Sequence, residues 1–395
     1  MKLVYAVDAI FPPLTGIGRY AWELGTRLRV VEEIEDIRFI SMGRWVDDLD
    51  SLLKAPGAGT GTAGVAPAGT ARSLAVALRK NLACRVWAVH AYSALAPRLM
   101  QHRLRQYGDY LYHSPNFFLS PFDGASVATI HDLSVYKFPE SHPDARRRLF
   151  DLEMKRTLRL ASHLVTDSEA TRREVIDFFC WPAERVSAVH LGVSADYRPR
   201  TDAELAPVLA RYGLIRGGYT LCVSTIEPRK KIGPLLRAYG GLPAELRDRF
   251  PLVLAGASGW LNVDILAQLE RGQLAGWVHQ LGFVPEADLP HLYAGACAFA
   301  YPSIYEGFGL PVLEAMASGV PVLTSGFSSL PEVADGAAWL VDPDDDQALL
   351  DGLAKVLQDE PWREQARNRG LEVAAGKTWD GCVKNTLEVY RSVRR

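Results

Sequence analysis

Several features that would assign a protein to a special class are absent from this sequence of 395 residues. Its five cysteines lie far apart, with no C-x-x-C pair and no metal-ligand spacing, which favours free thiols in a reducing compartment over a disulfide framework or a metal site. There is no run of about 18 apolar residues, so no membrane-spanning helix is predicted. The first residues lack the long apolar core and cleavage site of a signal peptide. We therefore expect a cytoplasmic protein.

Neither sign of charge dominates, because 44 Lys and Arg residues oppose 46 Asp and Glu residues. No overall field favours nucleic acid, and none is expected as a partner. Locally, residues 51–108 contain no Asp or Glu but eight Lys or Arg, with leucines and valines at helical spacing. Such a stretch predicts either peripheral contact with an anionic membrane, at the cytoplasmic face of the inner membrane, or a helix packed on the first domain's sheet. The pattern leaves both open.

The remaining sequence alternates apolar, strand-like segments with segments of helical periodicity. Such alternation is typical of parallel sheets covered by helices on both faces. A polar, turn-rich segment at residues 191–199 separates two series and predicts two doubly wound α/β domains. Ligands of such domains bind at the carboxyl ends of strands, so the cleft between the domains is the expected site. The predicted strands are Leu3–Val7, Arg38–Ser41, Tyr110–His113, Ser126–Ile130, His163–Thr166, Tyr219–Val223, Leu252–Ala255, Trp277–Leu281, Ala298–Tyr301, Val320–Thr324 and Ala338–Val341.

The segment Y-E-G-F-G-L-P-V-L-E-A-M-A at residues 305–317 is the most informative motif. Gly307 and Gly309 permit a tight turn and close approach of a ligand to the backbone. Pro311 suits the first turn of a helix, whose free N–H groups and dipole attract an anion. Glu306 on the loop and Glu314 on the helix can then bracket a nucleotide sugar, since a carboxylate accepts two hydrogen bonds from a vicinal diol. A solvated surface turn is the competing interpretation.

Three further segments follow or precede predicted strands. The segment E-P-R-K after the strand at 219–223 places Arg229 and Lys230 where cations suit a diphosphate, although a solvated basic turn has the same pattern. His131 follows the strand at 126–130 and can face a cleft, or serve as a structural histidine. Gly16 and Gly18 form a glycine-rich turn after the first strand, which suits either close approach of a phosphate or a plain turn.

Together these segments resemble the retaining glycosyltransferases of family 4, which have the GT-B fold of two Rossmann-like domains, and the resemblance covers nearly the whole chain. It implies that Glu306 contacts the donor sugar, Glu314 the ribose, and Arg229 and Lys230 the diphosphate, with His131 near the reaction centre. The sequences of the E-P-R-K and E-G-F-G-L-P-V-L-E-A-M-A motifs resemble those of bacterial mannosyltransferases that use GDP-mannose in O-antigen or exopolysaccharide synthesis. Other donor-binding positions implied by the resemblance are Gly16, Gly18, Phe283, Val284, Gly307, Phe308, Gly309, Leu310, Pro311 and Val312.

The resemblance also implies domains at residues 1–195 and 196–378, with residues 379–395 forming a helix that crosses back to the first. It implies no metal or other cofactor, a nucleotide-diphosphate sugar as donor, and a glycan or polyprenyl-linked glycan as acceptor. A UDP-sugar donor, epimerisation or phosphorolysis on the same fold, and a non-catalytic nucleotide-sugar-binding protein remain alternatives.

Overall fold

The computed structural model describes residues 1–14, 16–54, 98–256 and 263–394. Two compact units make up the chain. The first comprises Met1–Val189 together with Asp380–Arg395, and the second comprises His190–Trp379. Most of the basic stretch at residues 51–108 lies outside the described residues, so the choice between membrane contact and sheet packing stays open for it. At its described end, Met100 and Leu104 are buried in the first unit's core.

The first unit is built on a seven-stranded sheet of order β3-β2-β1-β4-β5-β6-β7. All neighbouring pairs are parallel except β2 with β3, which forms an antiparallel hairpin. The strands are β1 Lys2–Ala6, β2 Asp36–Ser41, β3 Arg44–Val46, β4 Leu111–Ser114, β5 Ser126–Ile130, β6 His163–Thr166 and β7 Val186–Ala188. The helices are α1 Gly16–Leu28, α2 Asp50–Leu53, α3 Ser134–Lys137, α4 Asp144–Leu160 and α5 Glu169–Phe179, and residues 98–104 are also helical.

The second unit is built on a six-stranded, fully parallel sheet of order β10-β9-β8-β11-β12-β13. Its strands are β8 Thr220–Val223, β9 Leu252–Ala255, β10 Val278–Gly282, β11 Ala298–Tyr301, β12 Val322–Ser325 and β13 Ala338–Val341. Its helices are α6 Asp202–Arg211, α7 Ile232–Gly241, α8 Ala244–Arg249, α9 Val263–Leu274, α10 Leu289–Gly295, α11 Leu310–Ala317, α12 Leu330–Ala334, α13 Asp346–Gln358 and α14 Glu360–Ala375. Helix α15, Trp379–Val393, follows and lies almost wholly in the first unit.

The alternating pattern predicted the architecture, and all eleven predicted strands are confirmed within one or two residues. Two short edge strands, β3 and β7, were missed because three-residue strands carry no measurable periodicity. The glycine-rich turn was wrong in detail, since Gly16 and Gly18 lie inside helix α1, which begins at Gly16. The units divide between Val189 and His190, within a few residues of the expected boundary.

Candidate active site

The strand order of the second sheet locates its ligand-binding edge. The chain builds β8, β9 and β10 outward in one direction and then returns to place β11 on the other side of β8. Ligands of open α/β sheets bind outside the carboxyl ends of the strands at such a reversal. The loop after β8 carries Arg229 and Lys230, and the loop after β11 carries Glu306. The two most informative motifs of the sequence therefore meet at the topological switch point.

A buried cluster joins these two loops. Lys230 is 7% exposed, and its Nζ donates to the Tyr301 hydroxyl at 2.7 Å and to Oε1 of Glu306. The Tyr301 hydroxyl in turn donates to the same Oε1 at 2.8 Å. Tyr301 is the last residue of β11, so the strand itself supplies the group that joins the cation to the carboxylate. Sequence reasoning missed Tyr301, because an aromatic residue at a strand end has the pattern of an ordinary core residue.

Arg229 extends the cluster. Its guanidinium contacts Oε2 of Glu306 at 3.3 Å and Oε1 of Glu227 at 2.8 Å, and donates to the backbone carbonyl of Tyr305 at 2.8 Å. The backbone N–H of Ile304 donates to the Arg229 carbonyl at 3.0 Å. Side-chain and backbone contacts thus tie the E-P-R-K loop to the E-G-F-G loop. Two cations and two carboxylates share one small region, and each cation pairs with Glu306.

These contacts determine the charge state of Glu306. Burial alone raises the pKa of a carboxyl group, but Lys230 and Arg229 outweigh burial and lower the pKa of Glu306 to about 2. Burial also lowers the pKa of Lys230, an effect that the Glu306 carboxylate opposes. Glu306 is therefore a firmly ionised hydrogen-bond acceptor at neutral pH.

The loop after Glu306 is held in place by serines and one glycine. The hydroxyl groups of Ser328 and Ser329 donate to the Glu306 carbonyl at 2.7 and 2.9 Å, and Ser329 also donates to the Phe308 carbonyl. Gly309 has φ of 112°, and a Cβ there would lie 2.7 Å from a Leu330 methyl group, so only glycine fits. Helix α11 begins directly after Gly309.

Helix α11 begins where the sequence predicts an anion-binding backbone, and that role stays a prediction. Leu310 is the first helical residue, Pro311 follows in the first turn, and Val312 is buried. Glu314 lies one turn further along. Burial raises the pKa of Tyr293 and the nearby Glu314 carboxylate raises it further, which places Glu314 close to that buried phenol. The structure therefore brings Gly307 to Val312 and Glu314 onto one continuous loop and helix beside the Lys230 cluster.

The predicted nucleobase residues lie at the end of β10. Phe283 is 64% exposed and Val284 is buried, directly after Gly282 with φ of 67°. The Gly256 N–H donates to the Gly282 carbonyl at 2.7 Å, so the ends of β9 and β10 are joined here. An exposed aromatic ring after a strand end agrees with stacking on a base, and this role stays a prediction.

In the first unit, Gly16 is the first residue of helix α1 and Gly18 is buried within it. A Cβ built on Gly16 meets no atom within 4 Å. The fold of this unit therefore does not require glycine at position 16, and a requirement for glycine there would come from a ligand. The phosphate-binding role of both glycines stays a prediction.

His131 lies directly after β5 and is 5% exposed. Its Nδ1 contacts Oδ2 of Asp167 at 2.7 Å and its Nε2 contacts the carbonyl of Pro115 at 2.8 Å. Both partners accept hydrogen bonds, so this arrangement favours the imidazolium form of the ring, in which both nitrogens donate. Burial lowers the pKa of His131, but Asp167 and the Pro115 carbonyl outweigh it, and the net direction is upward. Contact between Nε2 and a donor sugar would require release of the Pro115 carbonyl.

No group of three or more His, Cys, Asp or Glu residues is arranged to hold a metal ion within the described ranges. The acidic run at residues 342–346 has other partners. Asp345 caps helix α13 by accepting from two backbone N–H groups, Asp344 pairs with Lys231, and Asp346 pairs with Arg237. The cations Lys230 and Arg229 stand at the candidate active site.

Comparison with known proteins assigns the chain to a family. It is 43% identical to the O-antigen chain mannosyltransferase B of Escherichia coli over 392 residues, which cover 99% of this chain and 100% of that protein. The family model described as Glycosyltransferase Family 4 matches residues 90–197, and the model described as Glycosyl transferases group 1 matches residues 216–373. This chain belongs to the family 4 glycosyltransferases.

Two other similarities concern a second relative and the fold. The serotype-specific mannosyltransferase WbdA of Escherichia coli is 32% identical over 262 residues, covering 64% of this chain but only 32% of WbdA. The Anabaena protein Alr3699/HepE, solved in complex with UDP and glucose, superposes with a TM-score of 0.69 at 18% identity, over 99% of this chain and 100% of that one. This glycosyltransferase therefore has the GT-B fold. No helix in the described part is long and apolar enough to cross a membrane.

Proposed function

We propose that this glycosyltransferase transfers a mannosyl residue from GDP-mannose to a glycan or lipid-linked glycan acceptor in cell-surface polysaccharide synthesis, with retention of anomeric configuration and without a metal ion. The observation that carries the proposal is the buried cluster of Lys230, Arg229 and Glu306 at the switch point of the second sheet. The choice of mannose is supported by the 43% identity to an O-antigen mannosyltransferase along essentially the whole chain.

Stabilisation of the leaving diphosphate is the main electrostatic task of such a transfer. Lys230 Nζ has three N–H donors, of which Tyr301 and Glu306 take two. The fork of Arg229 and the start of helix α11 add further donors at the same edge of the sheet. Preorganised donors of this kind stabilise charge that develops on the leaving group.

Glu306 fits the role of a hydroxyl acceptor better than that of a nucleophile. Lys230, Tyr301 and Arg229 all engage its carboxylate, and the cations lower its pKa to about 2. A carboxylate stabilised in this way is weakly basic and weakly nucleophilic, but it accepts a hydrogen bond from a sugar hydroxyl. We therefore propose same-face attack by the acceptor hydroxyl, with the departing phosphate taking the proton, and no glycosyl-enzyme intermediate on Glu306.

The same cluster supports the proposal that no metal is needed. Many nucleotide-sugar sites use a divalent cation to balance the diphosphate. Lys230 and Arg229 stand together at the switch point of the second sheet, and we propose that they supply the positive charge. EDTA should then leave turnover unchanged.

A UDP-sugar donor is the second candidate, since the HepE structure with UDP and glucose shares the fold. A non-catalytic nucleotide-sugar-binding protein is the third. The nucleobase preference distinguishes the UDP-sugar donor from GDP-mannose, and measured turnover distinguishes an enzyme from a non-catalytic protein.

Contact of the basic stretch at residues 51–108 with an anionic membrane stays a hypothesis. It is tested by comparing co-sedimentation with phosphatidylglycerol vesicles and with phosphatidylcholine vesicles.

The proposal is tested by melting the full chain with GDP, UDP, ADP and GDP-mannose, each with and without EDTA, and then assaying transfer. A ligand that binds only the folded state raises the melting temperature by mass action. We expect GDP and GDP-mannose to stabilise the protein equally with and without EDTA, and NMR of the product to show an α-mannoside.

A rise in melting temperature with UDP alone would mean that the donor is a UDP-sugar instead of GDP-mannose, with the type of reaction unchanged. No shift with any nucleotide on folded protein would contradict the donor site. Binding of GDP-mannose without transfer to any lipid-linked glycan would favour the non-catalytic alternative.

A further inference from the structure

A cavity lies in the same unit as the Lys230 cluster, at the opposite edge of the sheet. Its volume is about 360 Å³, and it is lined by residues that precede strands β8, β9, β11 and β12 and by helix α14. The Lys230 cluster, in contrast, follows the carboxyl ends of β8 and β11. The cavity is therefore separate from the candidate active site, although both belong to the unit His190–Trp379.

Five arginines line this cavity, and no carboxylate does: Arg200, Arg216, Arg249, Arg363 and Arg367. Three of them have acidic partners outside the lining. Arg216 pairs with Asp202, Arg363 with Glu360, and Arg200 lies 3.9 Å from Glu204. Within the described residues, Arg249 and Arg367 form no ion pair, so the cavity carries a surplus of positive charge.

The arginines converge on a group that cannot neutralise them. Cys297 lines the cavity, and Arg363 donates to its Sγ. Burial raises the pKa of the Cys297 thiol, and Arg363, Arg249 and Arg367 lower it without overcoming burial. The thiol is therefore neutral. A second acceptor in this lining, the Gly319 carbonyl, receives the Nε–H of Arg367 at 3.2 Å and is also uncharged.

Buried polar atoms at the cavity also lack hydrogen-bond partners. Ser318 lines the cavity, is 3% exposed, and its Oγ has no partner in the structure. The Nε atoms of Arg200, whose side chain is 10% exposed, and of Arg363 are likewise buried without partners. Native proteins satisfy nearly all such groups, because a buried polar atom without a hydrogen-bond partner destabilises the folded state. An acceptor bound in the cavity would be a suitable partner for the arginine N–H groups and for the Ser318 hydroxyl.

We propose that this arginine-lined cavity is a second anion site of the protein, which binds a phosphoryl or diphosphoryl group. A phosphoryl group supplies several charged acceptors in the geometry that arginine forks match, and the Ser318 hydroxyl can donate to it as well. The group comes either from a free phosphate ester or from a lipid headgroup. Because the cavity lies at the opposite edge of the sheet, its ligand does not compete with the nucleotide-sugar donor. This inference does not depend on the proposed donor.

The test is calorimetric titration of the full chain with inorganic diphosphate, comparing wild type, Arg249→Gln/Arg367→Gln, and a matched variant Arg237→Gln/Arg271→Gln. The matched variant removes the same charge from helices α7 and α9 of the same unit, away from the cavity. We expect two diphosphates per wild-type chain, one at the cavity and one at the Lys230 cluster. The cavity variant should lose one of them, with affinity there reduced about tenfold or more, and the matched variant should keep both.

Lys230→Gln separates this inference from the proposed function, because it should remove only the other diphosphate. If Lys230→Gln changes nothing while the cavity variant loses a site, the donor proposal fails and the cavity proposal stands. Ser318→Ala tests the cavity with a variant that is expected to fold. It removes an unpartnered hydroxyl, so the melting temperature should stay or rise while cavity affinity falls severalfold.

Co-sedimentation with phosphatidic acid vesicles, against phosphatidylcholine vesicles, distinguishes the two sources. Retention on phosphatidic acid that requires Arg249 and Arg367, without diphosphate binding at the cavity, would assign a lipid headgroup. Diphosphate binding without such retention would assign a free phosphate ester. Equal behaviour of the cavity variant and the matched variant in both experiments would overturn the proposal.

Discussion

Two buried charge clusters stand at the carboxyl ends of parallel strands, one in each unit, and their charges are compensated differently. In the second unit, Lys230 and Arg229 pair with Glu306, whose pKa is about 2. In the first unit, the charge of His131 rests on Asp167 and on a pKa raised above the ordinary histidine value. Glu306 in the second-unit cluster therefore stays ionised around neutral pH, whereas His131 in the first-unit cluster loses its proton as pH rises through its raised pKa. We therefore predict that the charge of Glu306 does not change around neutral pH. The charge of His131, in contrast, should make stability depend on pH.

The largest effect is expected from Lys230→Gln. It removes a buried cation from Glu306 and from the proposed diphosphate site, and preorganised electrostatic donors are worth about 10²–10³ in rate. Breaking a buried ion pair also costs about 3–5 kcal/mol of stability. Transfer assays and chemical denaturation measure both.

Lys231→Gln is the matched control for this prediction. The neighbouring Lys231 pairs with Asp344, which is 62% exposed, instead of with Glu306. Its substitution should leave the transfer rate within about twofold of wild type, since surface ion pairs contribute little. Equal losses in the two variants would contradict a special role for Lys230.

Glu306→Gln should abolish most transfer. It should also change how the free energy of unfolding depends on pH in the acid range. The pKa of Glu306 is lower in the folded protein than its ordinary 4.5, so its contribution is present above pH 4.5 and is lost as pH falls to about 2. The stability difference between wild type and variant should shrink across that range. Denaturant unfolding at several pH values measures it, and a pH-independent difference would refute the assigned charge state.

His131→Gln tests the first-unit cluster. Because the folded pKa of His131 is raised, its contribution is present below the ordinary pKa of 6.5 and is lost as pH rises through the folded pKa. The stability advantage of wild type over His131→Gln should therefore be largest at acid pH and decrease above 6.5.

An Asp167→Asn variant should lower the His131 pKa measured by NMR. An unchanged pKa would show that Asp167 does not hold the imidazolium.

Tyr301→Phe is expected to act more mildly, because it removes only the hydroxyl between Lys230 and Glu306. Without this hydroxyl Lys230 and Glu306 are held less firmly, so we expect kcat to fall about tenfold. The free energy of unfolding should fall by about 1–3 kcal/mol. Tyr239→Phe is the control, since that buried hydroxyl bonds to Thr220 within the core. A similar kcat loss in both variants would reduce the role of Tyr301 to stability.

Gly16→Ala should have the smallest effect on folding, because its methyl group meets nothing within 4 Å. The melting temperature should be unchanged or higher, since alanine favours a helix more than glycine does. A raised KM for the donor at unchanged stability would indicate close approach of a ligand at position 16. Unchanged kinetics would remove Gly16 from the donor-binding residues.

The alternating pattern predicted the two doubly wound sheets, and the resemblance implied that Arg229, Lys230 and Glu306 contact the same donor. That the two loops meet depends on the adjacency of β8 and β11, which the sequence did not reveal. Nor did it predict Tyr301 or the Pro115 carbonyl, since a core aromatic residue and a backbone group carry no chemical signature in sequence. The arginine-lined cavity was also beyond reach. Its arginines come from four separate segments between residues 200 and 367, and only the sheet brings them together.

The central claim is that the Lys230 cluster binds the donor diphosphate without a metal. Calorimetric titration of GDP-mannose in EDTA tests it most directly, with wild type, Lys230→Gln and Lys231→Gln side by side. We predict saturable binding to wild type and Lys231→Gln, and binding weakened about a hundredfold in Lys230→Gln, the loss expected for a charge-assisted donor in a buried site. Binding that disappears in EDTA, or that is equal in all three proteins, would contradict the account.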